Sequence, residues 1–185
     1  MRIPLAFLSI VLAFTSAAAQ GIRKVDFKNF TYPLSGPTLG HNGLKWLDPG
    51  KRGRLTLING KDKEEPPGFT LQSVKFVDVT GDKNDDAIVV IHLKTGGTQQ
   101  TDYVYIYSFV DGKPKILAYC HTGDRGYSGL ADVYGKNGEL VVELLDPSKR
   151  DGDCCSSGII RTRYKWKDGR FEQAGPHRSL RLQEP

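Results

Sequence analysis

The chain is poor in the residues that announce chemistry. Its 185 residues include three cysteines, one methionine and four histidines. The histidines His41, His92, His121 and His177 form neither an HxH nor an HExxH spacing, so the sequence does not point to zinc. No GxSxG elbow marks a serine hydrolase. No CxxC pair marks a disulfide oxidoreductase. After the first twenty residues there is no long apolar run, so the remainder holds no candidate membrane helix. No stretch there carries a 3.6-residue apolar period over a dozen residues, and 21 glycines and 10 prolines interrupt every segment, which excludes a helical bundle or coiled coil.

The first residues read as an export signal. Arg2 is a short positive start, Ile3 to Phe14 is uncharged and mostly apolar, and Ala17-Ala18-Ala19 supplies the small residues of a cleavage site before Gln20. The expected organisation is a signal peptide over 1–19 and a single domain over 20–185, destined for the periplasm or the extracellular space. The full chain carries a net charge of +5, and loss of Arg2 would leave about +4 on the exported part. That is too mild for a dedicated nucleic-acid binder.

What remains is strand chemistry. Runs rich in Val, Ile, Tyr, Phe and Thr recur within Gly53 to Ile58, Phe69 to Val79, Ala87 to Leu93, Thr101 to Val110, Lys115 to Cys120, Glu139 to Leu145 and Ile159 to Trp166. Phe27 to Tyr32 and Leu44 to Leu47 are shorter candidates. Asp111-Gly112, Asn137-Gly138 and Asp168-Gly169 each separate two such runs, as tight hairpins require. Asn59-Gly60 and Asn42-Gly43 are further turn candidates. Strands joined by tight turns are antiparallel. The pattern predicts an all-β single domain of seven to nine strands, an antiparallel meander curled into a sandwich or partial barrel.

Two strands say more. Tyr103, Tyr105, Tyr107 and Phe109 alternate with Val104, Ile106, Ser108 and Val110, so both faces are apolar and the strand belongs in the centre, covered on both sides. Ile160, Thr162, Tyr164 and Trp166 alternate with Arg161, Arg163, Lys165 and Lys167. The first set is expected inside; the second forms a cationic row outside, with Arg170, Arg178 and Arg181 downstream. Such a row suits salt-dependent contact with an anionic envelope polymer or another protein, or else a solvated face that resists edge pairing.

The segment from Val74 to Val89 holds four aspartates around a turn. In Asp78-Val79-Thr80-Gly81-Asp82-Lys83-Asn84-Asp85-Asp86, Asp78, Thr80, Asp82 and Asp86 offer oxygen side chains at positions 1, 3, 5 and 9 and Asn84 a backbone carbonyl at 7, a pattern suited to calcium. The stretch resembles the FG-GAP or VCBS-type repeat loop of secreted bacterial proteins. That resemblance implies an exported β unit, stabilised by calcium; one copy cannot build a propeller, which needs at least four blades. Thr80 and Lys83 stand where the family prefers Asn or Asp and Gly. The alternative is a turn held by aspartates bonding to their own backbone.

An exported chain meets oxidising conditions, so a disulfide is expected among Cys120, Cys154 and Cys155. One pairing joins Cys120 to either of the adjacent pair; the other closes the vicinal Cys154–Cys155 ring and leaves Cys120 a buried thiol. Gly152-Asp153-Cys154-Cys155 followed by Tyr164-Lys165-Trp166 also resembles small secreted bacterial proteins, a likeness that implies no activity. The expected function is an exported, non-enzymatic binding or structural module. The competing class is a small secreted hydrolase using His121 and Asp124.

Overall fold

The computed structural model describes residues 21–34, 39, 53–63, 66–97, 100–124, 128–149 and 156–181. Among them run eleven strands: β1 (Thr31–Pro33), β2 (Arg54–Thr56), β3 (Gly68–Val77), β4 (Asp86–Lys94), β5 (Gln100–Val110), β6 (Lys113–His121), β7 (Leu130–Lys136), β8 (Glu139–Leu145), β9 (Gly158–Lys167), β10 (Arg170–Gln173) and β11 (Arg178–Arg181). The proposed signal segment and the candidate strand and turn over 42–47 lie outside the described residues.

The strands make two antiparallel meanders. The first sheet has the order β3-β4-β5-β6; the second has β10-β9-β8-β7, with β11 also on β9; β1 and β2 form a separate ribbon. The turns follow the residue types that close them. Asp111-Gly112, Asn137-Gly138 and Asp168-Gly169 all have positive φ at both positions, the backbone of two-residue hairpin turns that match strand twist. These turns join β5 to β6, β7 to β8 and β9 to β10.

The first sheet is covered on both faces, as the alternation along β5 requires. Tyr103, Tyr105 and Tyr107, with Ala87, Val89 and Ile91 of β4 and Tyr119 of β6, pack against Ile22, Phe27, Tyr32, Leu34, Leu55 and Leu57 from the amino-terminal segment and the ribbon. On the opposite face Ile88, Val90, Val104, Ile106, Ala118 and Cys120 meet Val133, Leu140, Val142 and Phe171 of the second sheet, with Tyr164 and Trp166 packed against them. The result is an open sandwich with an additional amino-terminal layer, not a closed barrel.

Lys75 ties the two sheets polar-side. Its Nζ donates to Asp132 Oδ1 at 2.6 Å and to the Val133 carbonyl at 2.9 Å. Gly135 on β7 permits a close approach beside this clamp, because a Cβ there would fall 2.7 Å from both γ carbons of Val77 and 2.9 Å from Val79 Cγ1.

The sequence pattern missed four of these strands or left them only implied. In β7, Gly135 and two charged residues break the apolar run, and β10 and β11 are only four residues long. β1 overlaps the Phe27 to Tyr32 candidate only at its end, starting at Thr31 and running to Pro33.

Candidate functional site

The outer face of the second sheet carries the densest charge chemistry. Strand alternation puts Arg161, Arg163, Lys165 and Lys167 there, opposite the inward Tyr164 and Trp166. Register sets their neighbours. Arg161 lies across from Glu143 on β8 and from Arg178 on β11, and Arg163 lies across from Val141. On β7, Asp132 faces Glu143, Tyr134 faces Val141 and Lys136 faces Glu139.

Two glutamates organise the cations. Arg161 Nε donates to Glu143 Oε1 at 2.6 Å, and the Tyr134 hydroxyl donates to the same oxygen at 2.8 Å. Arg163 Nη1 donates to Glu139 Oε2 at 3.2 Å and its Nη2 to the Ala174 carbonyl at 3.3 Å. Lys165 Nζ stands 3.4 Å from Glu139 Oε1. The carboxylate side chains are 13% and 11% exposed for Glu139 and Glu143, whereas the paired Arg163 and Lys165 are half exposed or more. Pairs this open to water add little stability, about 0–1 kcal/mol each; their effect is to hold guanidinium groups in place. The bond to Glu143 raises the Arg161 pKa further, and burial followed by the same carboxylate raises that of Tyr134, so both remain protonated donors.

A groove of about 220 Å³ opens on this face, lined by Tyr134, Lys136, Asn137, Glu139, Val141, Arg161, Arg163, Pro176 and Arg178. Four of the lining side chains are cationic and one is acidic. Of the expected cationic row, Arg161 and Arg163 line the groove, Lys165 stands on its glutamate border, and Lys167 lies beyond it across from Arg170. Tyr134, Lys136, Glu139, Glu143 and Val141 escaped the sequence reading. The Asn137-Gly138 turn was the available signal, since it pairs the residues on either side of it and thereby faces Lys136 with Glu139.

The acidic turn is adjacent. A Cβ on Gly138, the hairpin turn beside Lys136, would lie 3.3 Å from Gly81 Cα. The carboxylates of the turn are directed onto its own backbone. Asp78 Oδ1 accepts the N–H of Thr80 at 3.1 Å and of Gly81 at 2.6 Å, and its Oδ2 accepts that of Lys83 at 2.9 Å. Asp82 Oδ1 accepts the Asn84 N–H at 2.8 Å. Asp86 Oδ2 accepts from Val79 and Thr80, and Asp85 pairs with Arg23 at 2.6 Å. Lys83 takes a positive φ of 69°, the conformation in which the repeat family prefers glycine. Among the described residues no three His, Cys, Asp or Glu side chains converge to hold a metal. This arrangement is that of an Asx-type turn.

Cys120 is a free thiol inside the second core, and burial pushes its pKa up to about 12. Cys154 and Cys155 themselves lie outside the described residues. His121 ends β6 at 5% exposure, its ring 5.2 Å from that of Tyr103, and burial lowers its pKa so that the imidazole is held neutral. Neither His121 nor Asp124 lines the outer groove or the second cleft, which lies between β3, β5 and β7 and includes Lys75, Asp102 and Asp132. His92 bonds instead to Asp102 across β4 and β5, at 2.7 Å. Among the described residues no helix is long and apolar enough to cross a membrane.

In comparison with known proteins, no family model, no curated protein and no solved structure matched the chain.

Proposed function

We propose that the protein is an exported, non-enzymatic binding module of the cell envelope or extracellular space, and that its ligand site is the cationic groove on the outer face of the second sheet. The supporting observation is the gathering of Arg161, Arg163, Arg178 and Lys136 around one concavity with an apolar floor at Val141 and an aromatic wall at Tyr134. Arginine forks matched to oxyanions, beside apolar and aromatic surface, are the ordinary materials of specific anion recognition. Its titratable groups are guanidinium, ammonium, phenol and one ion-paired carboxylate. The signal-like start supports export, and a rigid antiparallel scaffold suits display of a fixed surface.

The test is binding to immobilised anionic polymers, with neutral dextran as the blank. The wild-type protein binds at least one anionic polymer in a salt-dependent manner. The pair of substitutions Arg163→Ala and Arg178→Ala reduces that binding roughly tenfold or more. Unchanged binding in this variant moves the site elsewhere and removes the proposal.

A further inference from the structure

The charge pattern of the groove narrows its ligand. Resting on the anion-binding reading above, we infer that the groove accepts a linear acidic polysaccharide whose charges are carboxylates, a uronate-type chain, and not a polyphosphate.

The first argument is the position of uncommitted cations. Glu139 engages Arg163 and Lys165, and Glu143 engages Arg161 through Nε alone, leaving the outer guanidinium edge of Arg161 available. The side chains of Arg178 and Lys136 make no hydrogen bond or ion pair with the described residues. They sit on β11 and β7, three strand spacings apart, or roughly 14 Å across the sheet. That span exceeds one sugar ring and suits several linked ones. A ligand that satisfies both ends needs anionic groups spaced along a chain.

The second argument is what lies between those ends. Glu139 is in the lining, and Glu143 lies directly beside Arg161. Both Tyr134 and Arg161 bond to Oε1 of Glu143, so its Oε2 takes no bond from the described residues. Carboxylates in the middle of a cationic groove repel a closely spaced polyphosphate, since like charges near one another are penalised at reduced dielectric. They are acceptors for hydroxyl groups, which an acidic sugar has in number. Val141 and the Tyr134 ring give the apolar and aromatic surface against which the C–H face of a sugar ring packs. A carboxylate spaced from its neighbour by a hydroxylated ring therefore matches the order of cation, carboxylate and apolar surface.

The experiment is titration calorimetry of the whole protein against oligogalacturonate, inorganic polyphosphate and a neutral oligogalactan at equal low salt. Oligogalacturonate binds, the neutral chain does not, and polyphosphate is weaker than the uronate by roughly tenfold or more. Arg178→Ala weakens the uronate by roughly tenfold at an unchanged melting temperature. Glu143→Gln narrows the gap by improving polyphosphate. Polyphosphate binding as tightly as the uronate, with the same loss in Arg178→Ala, overturns the uronate assignment and leaves the groove as an anion site. Absence of binding to both polyanions overturns both readings.

Discussion

Asp86 holds Val79 in place: its Oδ2 accepts the Val79 N–H at 3.0 Å, and both residues are fully buried at the end of the first sheet. The same oxygen accepts the Thr80 N–H at 3.2 Å, so one carboxylate spans the turn from its start to its end. Val79 belongs to the core between the sheets, and the turn is thereby anchored to that core. Burial pushes the Asp86 carboxyl up, against bonds from Val79, Ser108 and Thr80 that pull it down.

This arrangement predicts a turn that is stable without metal. Asp86→Ala strands two backbone donors and costs about 2–4 kcal/mol, while Asp86→Asn keeps an acceptor and costs less. The protein melts at the same temperature in EGTA and in millimolar calcium. A bound calcium at a hundred times its dissociation constant would add about 2.7 kcal/mol. In a domain of this size that is a rise of roughly 5–10 °C, easily seen by scanning calorimetry or circular dichroism. Such a rise would assign calcium to the loop.

Strand content, the central position of β5 and the inward face of β9 were legible because each rests on period-two alternation over eight or more residues. The hairpins were legible because Asp-Gly and Asn-Gly encode positive φ locally. The groove was only half legible. Arg161 and Arg163 show in one strand, but their partners Glu139 and Glu143, and the wall residue Tyr134, come from other strands and depend on register. The free state of Cys120 was open for the same reason. Nothing in its sequence position tells whether the strand end faces a loop or a neighbouring sheet.

Gly135 tests how closely the sheets approach. Its missing side chain makes room for Val77 and Val79, which lie on either side of the junction with the acidic turn. Gly135→Ala would place a methyl group below 3 Å from three γ carbons of stiff, β-branched residues. The expected cost is about 1–3 kcal/mol, measured as a lower urea midpoint with unchanged slope. Gly53→Ala is the control, because Gly53, like Gly135, does not take a positive φ and no atom lies within 4 Å of its Cβ position.

His121 makes stability fall on mild acidification. Burial places its folded-state pKa below the ordinary 6.5, so the unfolded chain binds a proton first. The contribution is fully present above about pH 6.5 and is lost as pH falls towards the folded value. A histidine-free ring of similar shape removes this term. Denaturant unfolding at pH 7.5 and 5.5 should therefore show a smaller loss in His121→Phe than in the wild type. An equal loss in both would place the acid sensitivity in another group.

Cys120 is predicted to be unreactive in the folded protein and free in the unfolded one. Burial with its pKa pushed up to about 12 removes both access and thiolate character, the two requirements for alkylation. Iodoacetamide under native conditions should leave Cys120 unmodified, and the same reagent in guanidinium without reductant should add a single label there. Cys120→Ala replaces a small buried thiol with a slightly smaller apolar group in the core that Val104, Ala118 and Leu140 share, so the cost should stay at about 1 kcal/mol. A disulfide between Cys120 and either Cys154 or Cys155 would give the opposite pattern: no label in guanidinium until reductant is added, and a larger loss of about 2–5 kcal/mol on substitution. Peptide mapping without reduction separates the two, and a Cys120-linked pair of peptides would show that β6 opens towards the loop before β9 to make the bond.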